Sequence, residues 1–473
     1  MKSILAGLLL TLVANASGRP NIVFILADDL GYSDVAAYGN KFNETPNIDR
    51  LVSEGLKFTN GYANGPNCQP TRAALISGQY GARTGIYTVG SVDRFDWRSQ
   101  SLRPVENAKG LPLDKVTIAE ALRRSGYKTG LFGKWHLGNK PEQHPSKRGF
   151  DEAIVSNGRH YKFVTQPQVS YPEGTYLADF LTDKAVDFIE RHRSEPFFLY
   201  VPHFGVHSPY QAKPELVEKF RRKKASGAEG DPVYAAMLAS VDESVGRITA
   251  KLDQLGLSEN TLVIFSSDNG GVGGYGRDGI RAKDITDNAP LRAGKGNLHE
   301  GGIRVPYIFR WKGTVPAGKV SDQVIASIDL YPSLLDLANA AKPENHVLDG
   351  VSYASHLKTP AETEVKRDAL FWHFPGYLGA AENTWRTKPV SVVRSGSWKL
   401  IQHLDDRSLE LYDLSADQGE KNNLSGSHPE KAVELLAKLD GWRKEIRAPL
   451  PTANENPSAP SGAKAKKRER SGE

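Results

Sequence analysis

Short apolar runs along the chain predict strands buried on both faces of a sheet. Residues 21–26, 197–201 and 261–267 are rich in Val, Ile, Leu and Phe, and residues 128–132 predict a further short strand. Continuous runs of this kind are typical of parallel sheets covered by helices, whereas a strand with one solvated face alternates apolar and polar residues.

Segments with helical spacing of apolar residues lie between these runs. Residues 46–54, 175–191 and 233–255 each carry an apolar stripe, and Thr117 and Glu120 form a capping box that opens another helix. Strands that alternate with helices in this way predict βαβ units. We therefore expect an α/β fold with a mostly parallel, doubly wound central sheet.

The pattern changes after about residue 359. Short strands separated by turns, and one closing helix, are predicted at residues 391–394, 398–402, 409–414 and 429–446. They indicate a small α+β subdomain built on an antiparallel sheet. A chain of 473 residues also exceeds the roughly 250 to 300 residues that one hydrophobic core supports. We predict a large α/β domain over residues 17–359 and a smaller one over residues 360–450.

The N-terminus has the pattern of a secretory signal. Residues 1–16 combine a lysine, an apolar run and a small-residue end, which predicts cleavage after Ala16. The apolar run is shorter than the roughly 20 residues that span a bilayer, and no later stretch is long and apolar enough. We expect a secreted or periplasmic protein without a membrane span.

Composition and charge narrow the function only slightly. Hydrophobic residues make up 39% and charged residues 25% of the chain, which excludes wholesale disorder. The net charge is +6, but half of it lies in residues 464–473, within a tail at residues 451–473 that we predict to be disordered. No nucleic-acid recognition motif accompanies this tail, so we expect no nucleic-acid partner.

Reactive side chains follow the predicted strands. In chain order these are Asp28 and Asp29, Lys134 and His136, His207, and Asp268 and Asn269, while Lys295 lies on a glycine-rich turn. The carboxyl ends of parallel strands meet at one edge of a sheet, so we expect these groups to converge. Of the two histidines after the strand at residues 197–201, His203 is interpreted as structural.

The oxygen-bearing members of this set predict a metal site. Asp28, Asp29, Asp268 and Asn269 offer hard ligands, which suit calcium or magnesium and disfavour zinc. Calcium is the preferred expectation, because it accepts many mixed carboxylate and amide oxygens.

Cys68 is the only cysteine in the chain. It cannot form an internal disulfide, and it precedes Pro70 at the start of a predicted helix. A lone cysteine is often a small buried apolar side chain, but here a turn places it at a helix N-terminus with Arg72 four residues later. A free reactive thiol or a modified residue is the alternative interpretation.

The segment Cys68-x-Pro70-Thr71-Arg72, followed by Ser77-Gly78-Gln79-Tyr80, resembles the signature of the type I sulfatases. The resemblance implies an alkaline-phosphatase-like fold and oxidation of Cys68 to formylglycine by a separate maturation enzyme. It also implies a calcium ion, to which the modified residue 68 contributes an oxygen.

The resemblance further implies roles for the polar residues. Arg72 would hold the hydrated aldehyde, and Lys134 and Lys295 would hold the sulfate oxygens. His136 would assist release of sulfate, and His207 would protonate the leaving oxygen. Unlike a thiol, the hydrated aldehyde has a second hydroxyl through which sulfate can be expelled.

We expect a sulfatase that acts on a sulfated carbohydrate of the galactan or glycosaminoglycan type. The signal sequence and the aromatic loops at residues 161–171 and 371–386 favour that substrate, and the loop at residues 89–109 is a candidate substrate loop. Two alternatives remain. One is a formylglycine-dependent hydrolase of phosphodiesters or phosphonate esters, and the other is a non-catalytic binder of sulfated glycans with unmodified Cys68.

Overall fold

The computed structural model describes residues 18–227, 229–273, 285–286, 288–379 and 385–457. The strands are β1 (Asn21–Ala27), β2 (Leu56–Tyr62), β3 (Leu102–Arg103), β4 (Lys128–Gly133), β5 (Glu152–Ser156), β6 (Thr165–Gln166), β7 (Phe197–Pro202), β8 (Thr261–Ser267), β9 (Tyr307–Arg310), β10 (Lys319–Ala326), β11 (Leu370–Phe374), β12 (Leu378–Gly379), β13 (Trp385–Thr387), β14 (Val390–Ser395), β15 (Trp398–His403), β16 (Leu409–Asp413) and β17 (Thr452–Ala453). The α-helices are α1 (Pro46–Ser53), α2 (Cys68–Ser77), α3 (Gly81–Thr84), α4 (Ile118–Arg124), α5 (Leu177–Arg191), α6 (Pro214–Ala225), α7 (Pro232–Gln254), α8 (Glu300–Ile303), α9 (Leu330–Ala338), α10 (Ala354–Lys358) and α11 (Pro429–Glu445).

Nine strands form the central sheet in the order β10-β2-β9-β8-β1-β7-β4-β5-β6. The pairs on either side of β9 are antiparallel, as is the pair of β5 with β6, and all other neighbours run parallel. The prediction of a mostly parallel, doubly wound sheet is confirmed. The reversed direction of β9 brings its amino end to the edge where the parallel strands have their carboxyl ends.

The position of β1 in the middle of the sheet explains why its sequence is almost entirely apolar. Ile22, Phe24 and Leu26 pack into the core on one face of the sheet. Alternate residues pack on the other face, namely Val23, Ile25 and Ala27. Successive side chains of a strand point to opposite faces, so a strand covered by helices on both sides needs apolar residues at every position.

The C-terminal part of the chain forms the antiparallel sheet that the sequence predicts. Strands β11, β14, β15 and β16 pair in that order, each antiparallel to the next. The closing helix α11 contributes Leu435 and Leu439 to a core shared with β14 and β15. The limits of residues 17–359 and 360–450 for the two domains stay a prediction.

The C-terminal tail begins later than we predicted. Thr452 and Ala453 form β17 and pair with β3, and the Asn454 side chain donates to the carbonyl oxygens of Arg98 and Gln100. The first residues of the segment predicted to be disordered are therefore ordered, because a strand pair and side-chain hydrogen bonds hold them. The predicted signal at residues 1–16 and the basic part of the tail beyond residue 457 lie outside the described residues.

Among the described residues, no helix combines the length and the apolar character needed to span a bilayer.

Candidate active site

Two pairs of polar residues meet where strands β1 and β8 end. The strands are parallel and in register, with Ala27 opposite Ser267, so the residues that follow each strand lie side by side. The Asp29 backbone N–H donates to Asp268 Oδ1 at 3.2 Å, and Asn269 Nδ2 donates to Asp29 Oδ1 at 2.9 Å. The convergence predicted for these residues is observed.

Helix α2 brings Cys68 to the same place. The helix begins at Cys68, after a turn that follows β2, and all of its residues are buried. The Cys68 sulfur lies 3.3 Å from Asp28 Oδ1 and 3.7 Å from Asp29 Oδ1. Burial, together with the charges of Asp268 and Asp28, raises the pKa of the Cys68 thiol far above its usual value. An unmodified Cys68 would therefore be protonated and a poor nucleophile.

Arg72 lies one helical turn after Cys68 and connects three segments. Its Nε donates to Asp268 Oδ2 at 2.8 Å, its Nη1 donates to the Lys134 carbonyl oxygen at 2.7 Å, and its Nη2 lies 3.6 Å from Asp28 Oδ2. The side chain is 1% exposed. A buried guanidinium with two carboxylate partners fixes the positions of the strand ends around Cys68.

Two lysines from distant parts of the chain contact the aspartates. Lys134 Nζ lies 2.5 Å from Asp28 Oδ2, and Lys295 Nζ lies 2.5 Å from Asp29 Oδ1 and 3.3 Å from the Cys68 sulfur. Burial alone would raise the pKa of Asp28, but the positive charge of Lys134, with smaller contributions from other cations, holds it well below its usual range. Asp28 is therefore a carboxylate at neutral pH.

Hydrogen bonds from the C-terminal part of the chain hold the Lys295 turn. Arg386 Nη1 donates to the Lys295 carbonyl oxygen at 3.2 Å, and the Thr387 hydroxyl donates to the Gly296 carbonyl oxygen. Gly296 has φ of +90°, and a Cβ there would lie 2.4 Å from Arg386 Cδ. The sequence patterns gave no sign of this support, because the partners are far from the turn along the chain.

His207 faces the cluster through Nε2. This atom lies 3.8 Å from Asp29 Oδ2, while Nδ1 lies 2.5 Å from the Ser208 carbonyl oxygen. A carbonyl oxygen can only accept, so Nδ1 carries the proton of the neutral ring and Nε2 is the nitrogen that accepts a proton. Burial, assisted by the charge of Lys134, lowers the pKa of His207 to about 3.

His136 lies beside the same charges. Burial and the positive charges of Lys134 and Arg72 lower its pKa well below the usual value, and its Nδ1 has no hydrogen-bond partner among the described residues. Both His136 and Asp29 have positive φ, 64° and 63°. Such conformations are uncommon outside glycine, and they concentrate where a fold must aim a side chain at a site.

His160 supports His207 and was missed by the sequence reasoning. Its Nε2 lies 2.9 Å from the His207 carbonyl oxygen, and its ring packs on Phe204. His160 directly precedes the aromatic loop at residues 161–171, but nothing in that pattern pointed to His207. His203 is buried with Nε2 3.0 Å from the Ser244 hydroxyl, which agrees with its interpretation as structural.

The cluster has the composition of a cation site. Ligand atoms of Asp28, Asp29, Cys68 and His207 all lie within 4.8 Å of one another. Asn269 Oδ1 is buried and lacks a hydrogen-bond partner among the described residues, although an amide oxygen in such a place normally has one. The donor set, dominated by oxygens and with an acceptor left open, fits a hard divalent cation.

Family models match most of the chain. The sulfatase family model matches residues 20–340, and a model described as N-sulphoglucosamine sulphohydrolase, C-terminal, matches residues 294–445. The chain belongs to the sulfatase family. It is accordingly a sulfuric ester hydrolase, and the predicted membership of the sulfatase family is confirmed.

Curated sulfatases resemble the chain over most of its length. A sulfatase of Formosa agariphila is 34% identical, with 92% of this chain and 90% of that protein covered. Human N-acetylgalactosamine-6-sulfatase is 36% identical over 72% of this chain and 66% of its own.

Among solved structures, Ps i-CgsB in complex with k-i-k-neocarrahexaose has a TM-score of 0.75 and 29% identity, and 93% and 94% of the two chains are covered. The expected alkaline-phosphatase-like architecture, with its antiparallel C-terminal sheet, is therefore confirmed for this sulfatase.

Proposed function

We propose that this sulfatase removes sulfate from a sulfated carbohydrate, with a formylglycine derived from Cys68 as the nucleophile and calcium as the cation. The observation that carries the proposal is the position of the Cys68 sulfur, buried against Asp28 and Asp29 and 3.3 Å from Lys295 Nζ. A sulfur at this point stands where an oxygen of the modified residue would lie. The protonated thiol itself has no evident role there.

The reaction would proceed by a displacement at sulfur, followed by an elimination that releases sulfate. Residue 68, as a hydrated aldehyde, attacks sulfur with one hydroxyl, the S–O bond to the sugar breaks, and the sugar oxygen leaves as an alcohol. The second hydroxyl then loses its proton, the C–O bond to sulfate breaks, and the aldehyde is restored. Addition of water regenerates the hydrate, so the sum is one ester and one water converted to one alcohol and one hydrogen sulfate.

Charged residues of this chain stabilise the sulfuryl group. Lys134 and Lys295 bring two ammonium groups to the buried cluster around residue 68, where a low dielectric strengthens their attraction for developing negative charge. Arg72, one helical turn after residue 68, contacts Asp268 and Asp28. It would also hold the second hydroxyl of residue 68.

The two histidines supply the proton transfers. His207 Nε2 faces Asp29, and its Nδ1 already carries the proton that bonds to the Ser208 carbonyl. Nε2 would therefore first take the proton of the attacking hydroxyl and then donate it to the leaving sugar oxygen. The burial-lowered pKa of His136 makes it a neutral base at physiological pH. His136 would take the proton that residue 68 loses when sulfate is expelled.

The cation would be held by Asp28, Asp29, Asp268, Asn269 and an oxygen of residue 68. The open Asn269 Oδ1 supports this set, and the hard oxygen ligands favour calcium over magnesium. When bound, the cation supplies positive charge that favours deprotonation of a nearby hydroxyl. Asp268 also accepts from Arg72, so it is held in place before the cation arrives.

Aromatic side chains near the Lys295 turn support a carbohydrate substrate. Phe95, from the loop at residues 89–109, and Trp385 have ring centroids 6.3 Å apart, and Tyr377 lies 5.0 Å from Trp385. Trp385 adjoins Arg386, which bonds to Lys295. Relatives named as N-acetylgalactosamine-6-sulfatases, and a relative solved with a neocarrahexaose, are consistent with a sulfated galactan or glycosaminoglycan.

Export and maturation complete the proposal. The signal pattern at residues 1–16 supports a secreted or periplasmic enzyme, and conversion of Cys68 requires a formylglycine-generating enzyme as a partner.

A substrate panel tests the function. Purified enzyme would be assayed with defined sulfated oligosaccharides, an aryl sulfate and an aryl phosphodiester, each with and without a chelator. We expect the highest kcat/KM on a sulfated oligosaccharide and loss of activity with the chelator. Higher kcat/KM on the phosphodiester would favour the related phosphoester hydrolases. Binding of the oligosaccharides without turnover, together with an intact thiol, would identify a glycan-binding protein.

A further inference from the structure

A cavity of about 480 Å³ lies between the edge of the central sheet and the C-terminal antiparallel sheet. Strands β2 and β10 form one wall, and β14 and the segments around it form the other. Three arginines line it, namely Arg304, Arg367 and Arg394, and it shares no residue with the active-site cluster. Its volume falls within the roughly 300 to 1,000 Å³ typical of small-ligand pockets.

The charges beneath this cavity do not balance. Lys399 is fully buried between Glu300 and Glu420, at 2.9 and 2.8 Å, and Arg304 lies 3.3 Å from the second oxygen of Glu300. These two carboxylates are therefore already shared by two cations. Arg394 adds a third positive charge to the cluster.

Among the residues that the structure describes, Arg394 bonds only to neutral groups. Its Nε donates to the Gly396 carbonyl oxygen at 3.2 Å, and its Nη1 donates to Asn60 Oδ1 and to the Tyr62 hydroxyl. No carboxylate in the described residues lies within ion-pair distance of its guanidinium, and the residue is only 6% exposed. The Tyr62 hydroxyl links Arg394 to Glu300, a carboxylate that Lys399 and Arg304 already share. A buried cation without a carboxylate of its own is costly, so such a residue is typical of a site that an anion completes.

The acidic side chains of the cavity lie at its rim. Asp368 pairs with Lys438 at 2.6 Å, and Asp322 is exposed to solvent. The third arginine of the wall, Arg367, pairs with the buried Asp329. The surplus charge at the inner wall therefore belongs to Arg394, and an anion that reached it would also face Arg304.

We propose that this cavity is a second anion site that binds a sulfate group, either as inorganic sulfate or on a sulfated glycan chain. The charge argument holds for any tetrahedral oxoanion. The choice of sulfate rests on the proposed function, since the reaction consumes sulfate esters and releases sulfate. The cavity is larger than one sulfate ion needs, so a sulfated sugar unit fits it.

Two substitutions at the rim test the site without disturbing the buried network. Asp322→Asn removes a negative charge, and Gln418→Glu adds one at an exposed lining position of nearly the same shape. We expect the first to strengthen and the second to weaken sulfate binding, each by about threefold at low ionic strength. Both variants should keep the wild-type turnover of the sulfatase substrate.

Binding would be measured by calorimetry on the full chain carrying Cys68→Ala, so that no turnover occurs. The probes are inorganic sulfate, a sulfated dextran hexasaccharide and unsulfated dextran of the same length. If the rim substitutions change the affinity for inorganic sulfate, the site binds the free ion as well as sulfate carried on a glycan. A response to the sulfated dextran alone assigns it to sulfate carried on a glycan.

Three results would overturn the site. The first is that both rim variants and the parent bind the sulfated probes with equal affinity. The second is that unsulfated dextran binds as tightly as sulfated dextran. The third is that Arg394→Gln binds the sulfated probes with the affinity of the parent. Crystals soaked in selenate give a direct measurement, with an anomalous peak expected between Arg394 and Arg304. If the enzyme proves to lack sulfatase activity, the rim variants still decide whether the cavity binds an oxoanion.

Discussion

Lys295 Nζ lies 3.3 Å from the sulfur of Cys68, although 227 residues separate them in the chain. The same nitrogen lies 2.5 Å from Asp29 Oδ1, so a cation, a carboxylate and the chain's single thiol share one buried space. This arrangement needs Lys295 on a turn before β9, Asp29 after β1 and Cys68 at the start of α2. Each reaches the same edge of the sheet because of the direction of its neighbouring strand.

Replacement of Cys68 should abolish activity and leave the fold intact. Cys68→Ala removes the atom that would become the aldehyde, so we expect kcat/KM to fall by about 10⁴-fold or more. The side chain is small, and the melting temperature should change little. Mass spectrometry of the wild-type peptide should show the change from CH2SH to CHO. Full activity in enzyme with an intact thiol would contradict the proposed nucleophile.

Lys295→Met should impair the chemical step. The substitution keeps the length of the side chain but removes the charge beside Cys68, so we expect kcat/KM to fall by about 10² to 10³. Lys388→Met is the matched control, because Lys388 is exposed and pairs with Asp405 outside the cluster. Equal activity of the two variants would show that Lys295 has no role in stabilising the sulfuryl group.

Thr387→Val tests the support of the Lys295 turn. Valine has nearly the same shape but cannot donate to the Gly296 carbonyl oxygen, so the turn should lose a buried hydrogen bond. We expect kcat to fall about three- to tenfold, with a smaller change in KM. Thr175→Val, at an exposed hydroxyl, is the control. A fall in melting temperature with unchanged kcat would indicate a purely structural hydrogen bond.

Removal of the cation should inactivate the enzyme reversibly. Dialysis against a chelator should abolish turnover, and calcium should restore more activity than magnesium because of the mixed oxygen ligands. Asn269→Ala should raise the calcium concentration needed for half-maximal recovery by about tenfold or more. Activity that is insensitive to chelators, with no metal found by elemental analysis, would exclude a cation from the reaction.

Glu410 gives a pH-dependent contribution to stability. Burial would raise its pKa, but hydrogen bonds from His299 and His403 hold it well below the usual 4.5, and this contribution is lost as the pH falls through the lowered pKa. The hydrogen bond to Glu410 also raises the pKa of His403 above 6.5. The stability that His403 contributes is therefore fully present below pH 6.5 and is lost as the pH rises through the raised pKa of His403.

Glu410→Gln should therefore destabilise the protein most between these limits. We expect a loss of about 1 kcal/mol near pH 6 in urea unfolding, shrinking at both lower and higher pH. Glu364→Gln, at an exposed glutamate, should have little effect at any pH. A constant difference across the pH range would mean that the loss arises from packing instead of ionisation.

Local patterns were enough to place most elements. The strand predicted at residues 261–267 is β8 over the same residues, and the helix predicted at residues 175–191 is observed as Leu177–Arg191. Each depends on the period of its own apolar residues, which a single sequence displays directly. The predicted start of the disordered tail was wrong, because Asn454 and β17 are held by partners more than 300 residues away.

Many contacts of the site could not be predicted from local sequence patterns. The convergence of Asp28, Asp29, Asp268 and Asn269 followed from the rule that parallel strands end at one edge. The support of His207 by His160, and of the Lys295 turn by Thr387, followed from no pattern, because hydrogen bonds between loops depend on how the two layers and the C-terminal sheet pack.

The sequence by itself determined the element types, the family signature around Cys68 and the identity of the charged groups at the strand ends, since these are properties of residue order and local periodicity. The tertiary structure alone decided the reversed direction of β9, the hydrogen bonds that hold Lys295, and the neutral hydrogen-bond partners around Arg394. Those features depend on contacts between segments that are distant in the sequence. The distances between such segments become defined only once the sheets have packed.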